Sequence, residues 1–452
     1  IMNQLGRGIV AGLHWFPNYW GRETFIALPG ACLVRGEFDA AKEILESFAV
    51  MQETHEDSLL YGRIPNLAMP GEVYYNTADG TWWFVREAYE YLRYTGDLEF
   101  AEQFMPVIER AIDGGLANRT DESGFLLHGQ AETWMDAGGE SSPFSPRGNR
   151  AVEVEVLWHT ALLSGAFIAE ALGKDAVAAR WREVAGRVRE AFLREFPDAD
   201  TKGLFDHLDP DGTPDRQIRP NQIFAATVPW DELMPPESER AMVELVRETC
   251  VLRHGVASLH TEDPNFHPCH LDLERYHFDE AYHNGDVWVW LTGPVVSALV
   301  KHGLVEAAWK QTSVLADLMF DEGAAGTLPE LRNGVPPETG ENVAGAVTQA
   351  WSLSEFLRNF YQDYLGVRPD VLSGTVDVRP ALPPGCDWMA APVRVGAGSL
   401  FVLHRTSDGV GAGCTSIAAD ADAPPLTVRF TPRFPLGAEV QEDGEVIEAA
   451  LE

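Results

Sequence analysis

Residues 153–172, EVEVLWHTALLSGAFIAEAL, and 176–196, AVAARWREVAGRVREAFLREF, are separated only by Gly173-Lys174-Asp175. In both stretches apolar residues recur at i, i+3, i+4 and i+7, the spacing that gathers them on one face of a helix. Two such helices joined by a short turn that contains glycine predict an antiparallel hairpin. The same spacing recurs on either side, at 39–53, 81–95, 101–117, 238–251, 287–302, 306–320 and 347–364, with shorter candidates at 24–33 and 218–227. Short connections such as Val34-Arg35-Gly36 alternate with long ones that hold Trp, Asp, Asn and His. That alternation predicts a closed double ring of six helical pairs, with short turns on one rim and long functional loops on the other. After Tyr364 the pattern changes. Glycine and proline punctuate 365–374, and Thr375-Val376-Asp377-Val378, Val393-Arg394-Val395, Leu400-Phe401-Val402-Leu403 and Leu426-Thr427-Val428-Arg429-Phe430 read as short strands. The chain is therefore expected to be mainly α, with a helical domain over 1–366 and a small β-rich domain over 367–452.

Composition narrows the partners. The 452 residues carry 69 acidic against 34 basic side chains, a formal charge of −35. Such a chain repels nucleic-acid backbones and anionic membranes, so a neutral polar ligand fits better. Five cysteines, Cys32, Cys250, Cys269, Cys386 and Cys414, show no CxxC spacing and read as buried reduced thiols. The first residues lack a charged region followed by an apolar core, and no apolar run reaches about 18 residues, so neither a signal peptide nor a membrane span is expected. A cytoplasmic location follows. Ile1 ahead of Met2 leaves the natural start of the chain open.

The long loops carry the candidate chemistry. Thr133-Trp134-Met135-Asp136-Ala137 lies among Gly129, Gly138, Gly139, Pro143 and Pro146, which puts an acid beside a large ring on an irregular loop. Glu330 occupies a comparable loop, Gly326-Thr327-Leu328-Pro329-Glu330-Leu331-Arg332-Asn333-Gly334. Cleavage of a glycosidic bond requires one carboxylic acid to protonate the departing oxygen and one carboxylate opposite it to act on water or on the sugar. Asp136 is the candidate acid and Glu330 the candidate partner. A solvated loop carboxylate or a helix cap is the plainer reading of each, and with 69 acids that reading wins for an acid chosen at random. Trp15, Phe16, Tyr19, Trp20, Tyr74, Tyr75, Trp82, Trp83, Trp134, Trp288, Trp290 and Trp351 gather near the predicted loops or helix ends, where rings stack on sugar faces. About half are expected to be core packing instead.

Eight motifs in order give a resemblance. Trp20-Gly21-Arg22-Glu23-Thr24-Phe25-Ile26-Ala27-Leu28, Ile64-Pro65-Asn66, Tyr75-Asn76-Thr77-Ala78-Asp79, Thr133-Trp134-Met135-Asp136, Ile218-Arg219-Pro220-Asn221-Gln222, Tyr282-His283-Asn284-Gly285, Leu328-Pro329-Glu330-Leu331 and Thr348-Gln349-Ala350-Trp351-Ser352 together resemble the amylo-α-1,6-glucosidase domain of glycogen debranching enzymes, glycoside hydrolase family 133. The resemblance spans about residues 15–364. It implies an (α/α)6 barrel that removes a single α-1,6-linked glucose from glycogen-like α-glucan or branched maltooligosaccharides, with inversion and without a cofactor or metal. It assigns the general acid to Asp136 and the general base to Glu330. It places Arg22, Glu23, Asn76 and Asp79 on the terminal glucose, with His283, Asn284, Trp288 and Gln349 nearby; Trp20, Trp134 and Trp351 complete the candidate site. Inversion implies carboxyl groups about 6.5–9.5 Å apart, against about 5–5.5 Å for retention.

Two departures accompany it. The family usually has Asp where this chain has Glu23, and Thr-Val-Trp-Pro-Trp where it has Asp286-Val287-Trp288-Val289-Trp290. The longer acid encourages an alternative, another inverting (α/α)6 exo-glycosidase such as an α-glucosidase or a trehalase-like enzyme. A sugar-binding barrel without activity, or a scaffold for a partner hydrolase, is the reading from another class. His254, His260, His267, His270, His277 and His283 share a window with Cys269, but His267-Pro268-Cys269-His270 lacks a second matching pair and is poor for zinc. Asp209-Pro210-Asp211-Gly212-Thr213-Pro214-Asp215 lacks the closing glutamate of a calcium loop and reads as a polar turn.

Overall fold

A computed structural model describes residues 4–5, 8–69, 71–335, 342–406, 413–431, 439–442 and 445–448. Among them the chain forms α1 (Gly21–Ala31), α2 (Phe38–Ala49), α3 (Gly80–Thr95), α4 (Leu98–Asn118), α5 (Val152–Ala171), α6 (Asp175–Glu195), a short α7 (Phe224–Thr227), α8 (Pro236–Thr249), a short α9 (Phe278–Tyr282), α10 (Thr292–Lys301), α11 (Val305–Asp321) and α12 (Ala350–Asn359). The fold is mainly helical.

The 153–196 hairpin is present as α5 and α6, and its halves differ. α5 is buried on every side from Val152 to Ala166, whereas α6 buries a stripe of Ala178, Trp181, Val184, Ala185, Val188, Ala191 and Phe192. A helix that is apolar all round belongs inside, and a striped one covers it. α5 is long and apolar enough to cross a membrane, but its apolar stretch is almost wholly enclosed by protein, which is the position of a core helix. Around it the first helices of successive hairpins touch in turn: α1 on α3, α3 on α5, α5 on α7, α7 on α10, α10 on α12, and α12 back on α1. In sequence, α2, α4, α6, α8 and α11 each follow one of these, and each buries only a stripe.

Where six pairs were expected, the described residues hold five hairpins and an α12 without a following helix. The chain leaves α12 through a wide turn at Phe360–Tyr364 and enters the strand Val367–Asp370. Gly366 makes that switch. Its φ of +70° favours glycine, and a Cβ there would lie 2.0 Å from the Arg379 carbonyl oxygen. The predicted helices at 218–227 and 287–302 each begin with a tight 3-10 turn, Pro220–Ile223 and Val289–Leu291, before α7 and α10.

A small sheet has no signature in the sequence. Gln4–Leu5, Gly8–Leu13, Phe16–Trp20, Leu67–Met69 and Glu72–Tyr74 lie side by side, and Thr348–Gln349 pairs with Gly8–Leu13. These strands are two to six residues long and do not alternate cleanly, so periodicity is silent. The sheet matters because it fixes the approach to two helices: Trp20 directly precedes α1 and Gln349 directly precedes α12. Asp79 and Ala151 likewise precede α3 and α5, so the functional loops gather at the N-terminal ends of the inner helices.

The C-terminal strands sit at the opposite ends. Val371 and Gly396 donate backbone N–H bonds of 2.8 Å to the carbonyls of Arg93 and Tyr94, in the last turn of α3. Trp388–Val395, Gly398–Thr406 and Gly413–Ala419 form one antiparallel sheet; Val367–Asp370 and Thr375–Val378 pair antiparallel, with Thr427–Phe430 parallel beside them. Val367, Val376, Val378, Val393, Val395, Leu400 and Val402 join the same apolar core as the helices.

Candidate active site

The loop that carries Asp136 is braced from below. Arg147, fully buried, donates from Nη1 and Nη2 to the two carboxylate oxygens of Glu153 at 2.7 and 2.8 Å, while its Nε lies 2.8 Å from Asp206. The same guanidinium reaches the Thr133 hydroxyl at 3.3 Å. Asn221 donates to Asp206 at 2.9 Å and accepts the indole N–H of Trp134 at 2.9 Å. Trp134 then stands edge-on against His283, Trp288 and Trp290, with ring centres 5.2–5.6 Å apart. Glycines shape this loop, but an ion network and an aromatic cluster hold it still.

Arg22 joins three segments at the start of α1. Its Nε donates to Asp79 at 2.8 Å, Nη1 to Asp136 at 3.2 Å and Nη2 to the Thr133 carbonyl at 2.9 Å. Burial disfavours its charge, yet Asp79, Asp136 and Glu23 more than offset that and strengthen its hold on the proton. Asp136 is about a third exposed, with its side chain 31% open. The surrounding protein raises its carboxyl, and Arg22 opposes the rise. Burial pushes the neighbouring Glu23 up to about 7, again against Arg22.

Glu330 is buried, and both of its oxygens are occupied. Oε1 accepts from the Tyr282 hydroxyl and Oε2 from the Ala346 backbone N–H at 2.7 Å. Burial raises its carboxyl, while these two donors favour the charged form. Gly345 makes the fit possible: φ is +68°, and a Cβ would lie 2.4 Å from Glu330 Oε2. Tyr282 ties the two halves of the site together. Burial and Glu330 raise its phenol well above the ordinary value, and Asp136 and Glu23 add to the rise, so all three carboxyl groups act on one hydroxyl.

The structure gathers most of the predicted residues and separates two. Trp20, Arg22, Glu23, Asp79, Asp136 and Gln349 stand at the N-terminal ends of α1, α3 and α12 or on the loop held by Arg22. Trp288 and Trp351 are buried behind them, and Trp351 stacks on Trp290 at 4.5 Å. Asn76 is exposed on the strand-to-helix connection. Asn284 has its amide committed to Ser145, Arg219 and the carbonyls of Phe144 and Glu280, so it braces the loops. Trp20 Nε1, Glu23 Oε2, Asp79 Oδ1, Gln349 Oε1 and both ring nitrogens of His283 are buried with no hydrogen-bond partner among the described residues. Buried polar atoms are nearly always paired, so these atoms are candidates for partners that a ligand or water supplies. Burial, with Arg219 and Arg22 nearby, holds His283 well below its ordinary range and hence neutral.

Sequence reasoning missed Tyr282 and the Arg147–Glu153–Asp206–Asn221 brace; Tyr282 and Asn221 lay inside quoted motifs without a role, and nothing local flagged the others. Of the histidine window, His270 pairs with Asp286 at 2.7 Å. Asp206, His207 and Asp215 could offer ligand atoms to a metal within 4.8 Å of one another. Asp206, however, already carries Arg147 and the Asn221 amide, and a fixed guanidinium competes with a cation.

Comparison with known proteins shows the family and the fold. The family profile described as Amylo-alpha-1,6-glucosidase matches residues 2–358. A glycogen debranching enzyme of Saccharomyces cerevisiae (strain ATCC 204508 / S288c) is 26% identical; the match covers 63% of this chain and 24% of that protein, so the chain spans about a quarter of the relative's length. Among solved structures, a family-78 rhamnosidase of Bacillus sp. GL1 is 17% identical with a TM-score of 0.63, covering 93% of this chain and 39% of that one. A family-63 mannosylglycerate hydrolase from Thermus thermophilus, solved with glucose, is 16% identical with a TM-score of 0.59, covering 79% of this chain and 96% of that one. At those identities the structures share the fold alone, but the profile spans most of the chain, including every candidate site residue, and the chain belongs to the amylo-alpha-1,6-glucosidase family of glycoside hydrolases.

Proposed function

We propose that this chain is the (α/α)6 catalytic domain, residues 1–366, of an inverting exo-acting α-1,6-glucosidase, followed by a β-rich unit over 367–452. The substrate is a single α-1,6-linked glucose on glycogen-like α-glucan or a branched maltooligosaccharide, hydrolysed in the cytoplasm without a cofactor. Asp136 protonates the departing oxygen and Glu330 activates the attacking water. One observation carries the reading: two carboxyl groups on separate loops, both raised by burial, have unequal surroundings, Asp136 partly open and tied to Arg22, Glu330 enclosed between the Tyr282 hydroxyl and the Ala346 N–H. Asp136 is open to solvent on one side and raised by its surroundings, as a proton donor to an entering substrate should be. Glu330 is enclosed and held by two donors that stabilise its charge, as a base should be. The unpaired atoms of Trp20, Glu23, Asp79 and Gln349 supply partners for the hydroxyls of a neutral sugar.

The test is glucose release from a singly branched maltooligosaccharide, with NMR following the anomer. The native chain is expected to release β-glucose first, and Asp136→Asn and Glu330→Gln to lose at least about a thousandfold in kcat. Undiminished release in either variant removes that residue from its role, and α-glucose as first product removes inversion. Glu23 favours a second reading, an exo-glycosidase for a different terminal sugar, since its free oxygen lies in the same group of unpaired atoms. Release of another sugar in preference to glucose would select it.

A further inference from the structure

The proposed reaction requires Glu330 to be ionised and aimed at a water while enclosed by protein, and burial works against ionisation. Two donors counter it. The Ala346 N–H belongs to the backbone and is fixed by the strand-like pairing of Glu330 N–H with the Ala346 carbonyl at 2.9 Å. The second, the Tyr282 hydroxyl, comes from another part of the chain, at the end of α9. Its ring is clamped: Trp288 donates its indole N–H to the Tyr282 carbonyl, and the phenol ring packs against His283, Trp288 and His270 at 4.7, 4.8 and 5.5 Å. These contacts hold the phenol against Glu330.

On the reading of Glu330 as base, we infer that Tyr282 is its positioning residue, donating its hydroxyl proton to Glu330 Oε1 so that the carboxylate stays charged and keeps one orientation toward the attacking water. Tyr282 neither gives up nor gains a proton in the cycle. The bond that breaks is the glycosidic C–O bond, the one that forms joins the water oxygen to the anomeric carbon, and the water proton goes to Glu330. Glu330 faces Tyr282, the Ala346 N–H, His270 and Asp286; Tyr282 faces Glu330, Asp136, Glu23, His270 and His283. Of these, Tyr282 is the one side chain that hydrogen-bonds the carboxylate among the described residues.

Tyr282→Phe removes only the hydroxyl. It is assayed on a singly branched maltooligosaccharide and on α-D-glucosyl fluoride, whose fluoride leaves without protonation. A base-side residue should matter for both substrates, and an acid-side residue for the glycoside alone. The expected result is a loss of about tenfold or more in kcat on both, with KM little changed, and an acidic limb of the kcat–pH profile moved up by about one pH unit, since a hydrogen bond to a carboxylate is worth roughly that factor. Asp136→Asn should spare the fluoride. In parallel, 13C NMR of labelled glutamate carboxyls, assigned with Glu330→Gln, should show the Glu330 midpoint rising by the same amount. An unmoved midpoint and limb would overturn the inference, as would a defect confined to the glycoside. If the native chain cleaves neither substrate the proposed function fails instead, while the NMR midpoint still decides whether Tyr282 holds Glu330.

Discussion

Glu23 is a residue at which burial and charge are poorly balanced. Its carboxyl moves from 4.5 to about 7 because the protein removes its water, and Arg22 only partly compensates. The folded state therefore binds a proton that the unfolded chain releases. Stability from this group is complete below about pH 4.5 and is lost as the pH rises through about 7, by up to about 3 kcal/mol. Glu23→Gln should remove that dependence. Measured by denaturant unfolding, the variant should gain on the native protein steadily between about pH 4.5 and 7, and a difference that stays flat with pH would contradict the assignment. The same residue was legible in the sequence as a departure from its family, but its free oxygen and its neighbours were not. A departure says that a side chain is longer; only the packing around α1 says what the extra length meets.

At the scale of elements, the loop of Asp136 depends on residues that never approach a substrate. Arg147 holds Glu153 at the start of α5, Asp206 on the following loop and Thr133 beside Trp134. Arg147→Met should cost about 3–5 kcal/mol in unfolding free energy, because it takes from buried Glu153 its paired cation and leaves buried Asp206 with Asn221, His207 and a more distant Arg219. Retention of native stability in that variant would mean water replaces the guanidinium. Gly345 is the opposite case, a position where a substitution is expected to change activity more than stability. Gly345→Ala meets an unfavourable φ worth about 1–2 kcal/mol and drives a methyl group toward Glu330 Oε2. Activity should fall at least about tenfold while the melting temperature drops by only a few degrees; unchanged kcat would show that the carboxylate tolerates displacement.

At the scale of the molecule, α12 closes the ring on α1 across more than 300 residues of chain, and the C-terminal strands seal the far ends of the helices. Ser354 donates to the Ala27 carbonyl at that seam. Val367, Val376, Val378, Val393, Val395, Leu400 and Val402 belong to the helical core, so the strands are not an appended module in the energetic sense. Ending the chain after Gly366 should expose the core face that these side chains cover, seen as dye binding to apolar surface and loss of a single cooperative melt. A truncated chain that melts like the full one would show that the helices are self-sufficient.

Most of the helical segments, the turn from α to β near residue 366 and the presence of two acids on long loops could be read in one dimension, because each rests on local periodicity, on Gly and Pro punctuation or on ordered motifs. Tertiary structure alone decided which helix of each pair lies inside, that among the described residues the last helix has no partner following it, and that one small sheet leads into both α1 after Trp20 and α12 after Gln349. It also decided that Asn284 braces the loops and that Tyr282 hydrogen-bonds Glu330. These depend on contacts between segments tens to hundreds of residues apart, and neither side-chain spacing nor composition encodes where such segments meet. Asp136 and Glu330 were visible as acids on loops; their unequal surroundings exist only once the ring closes.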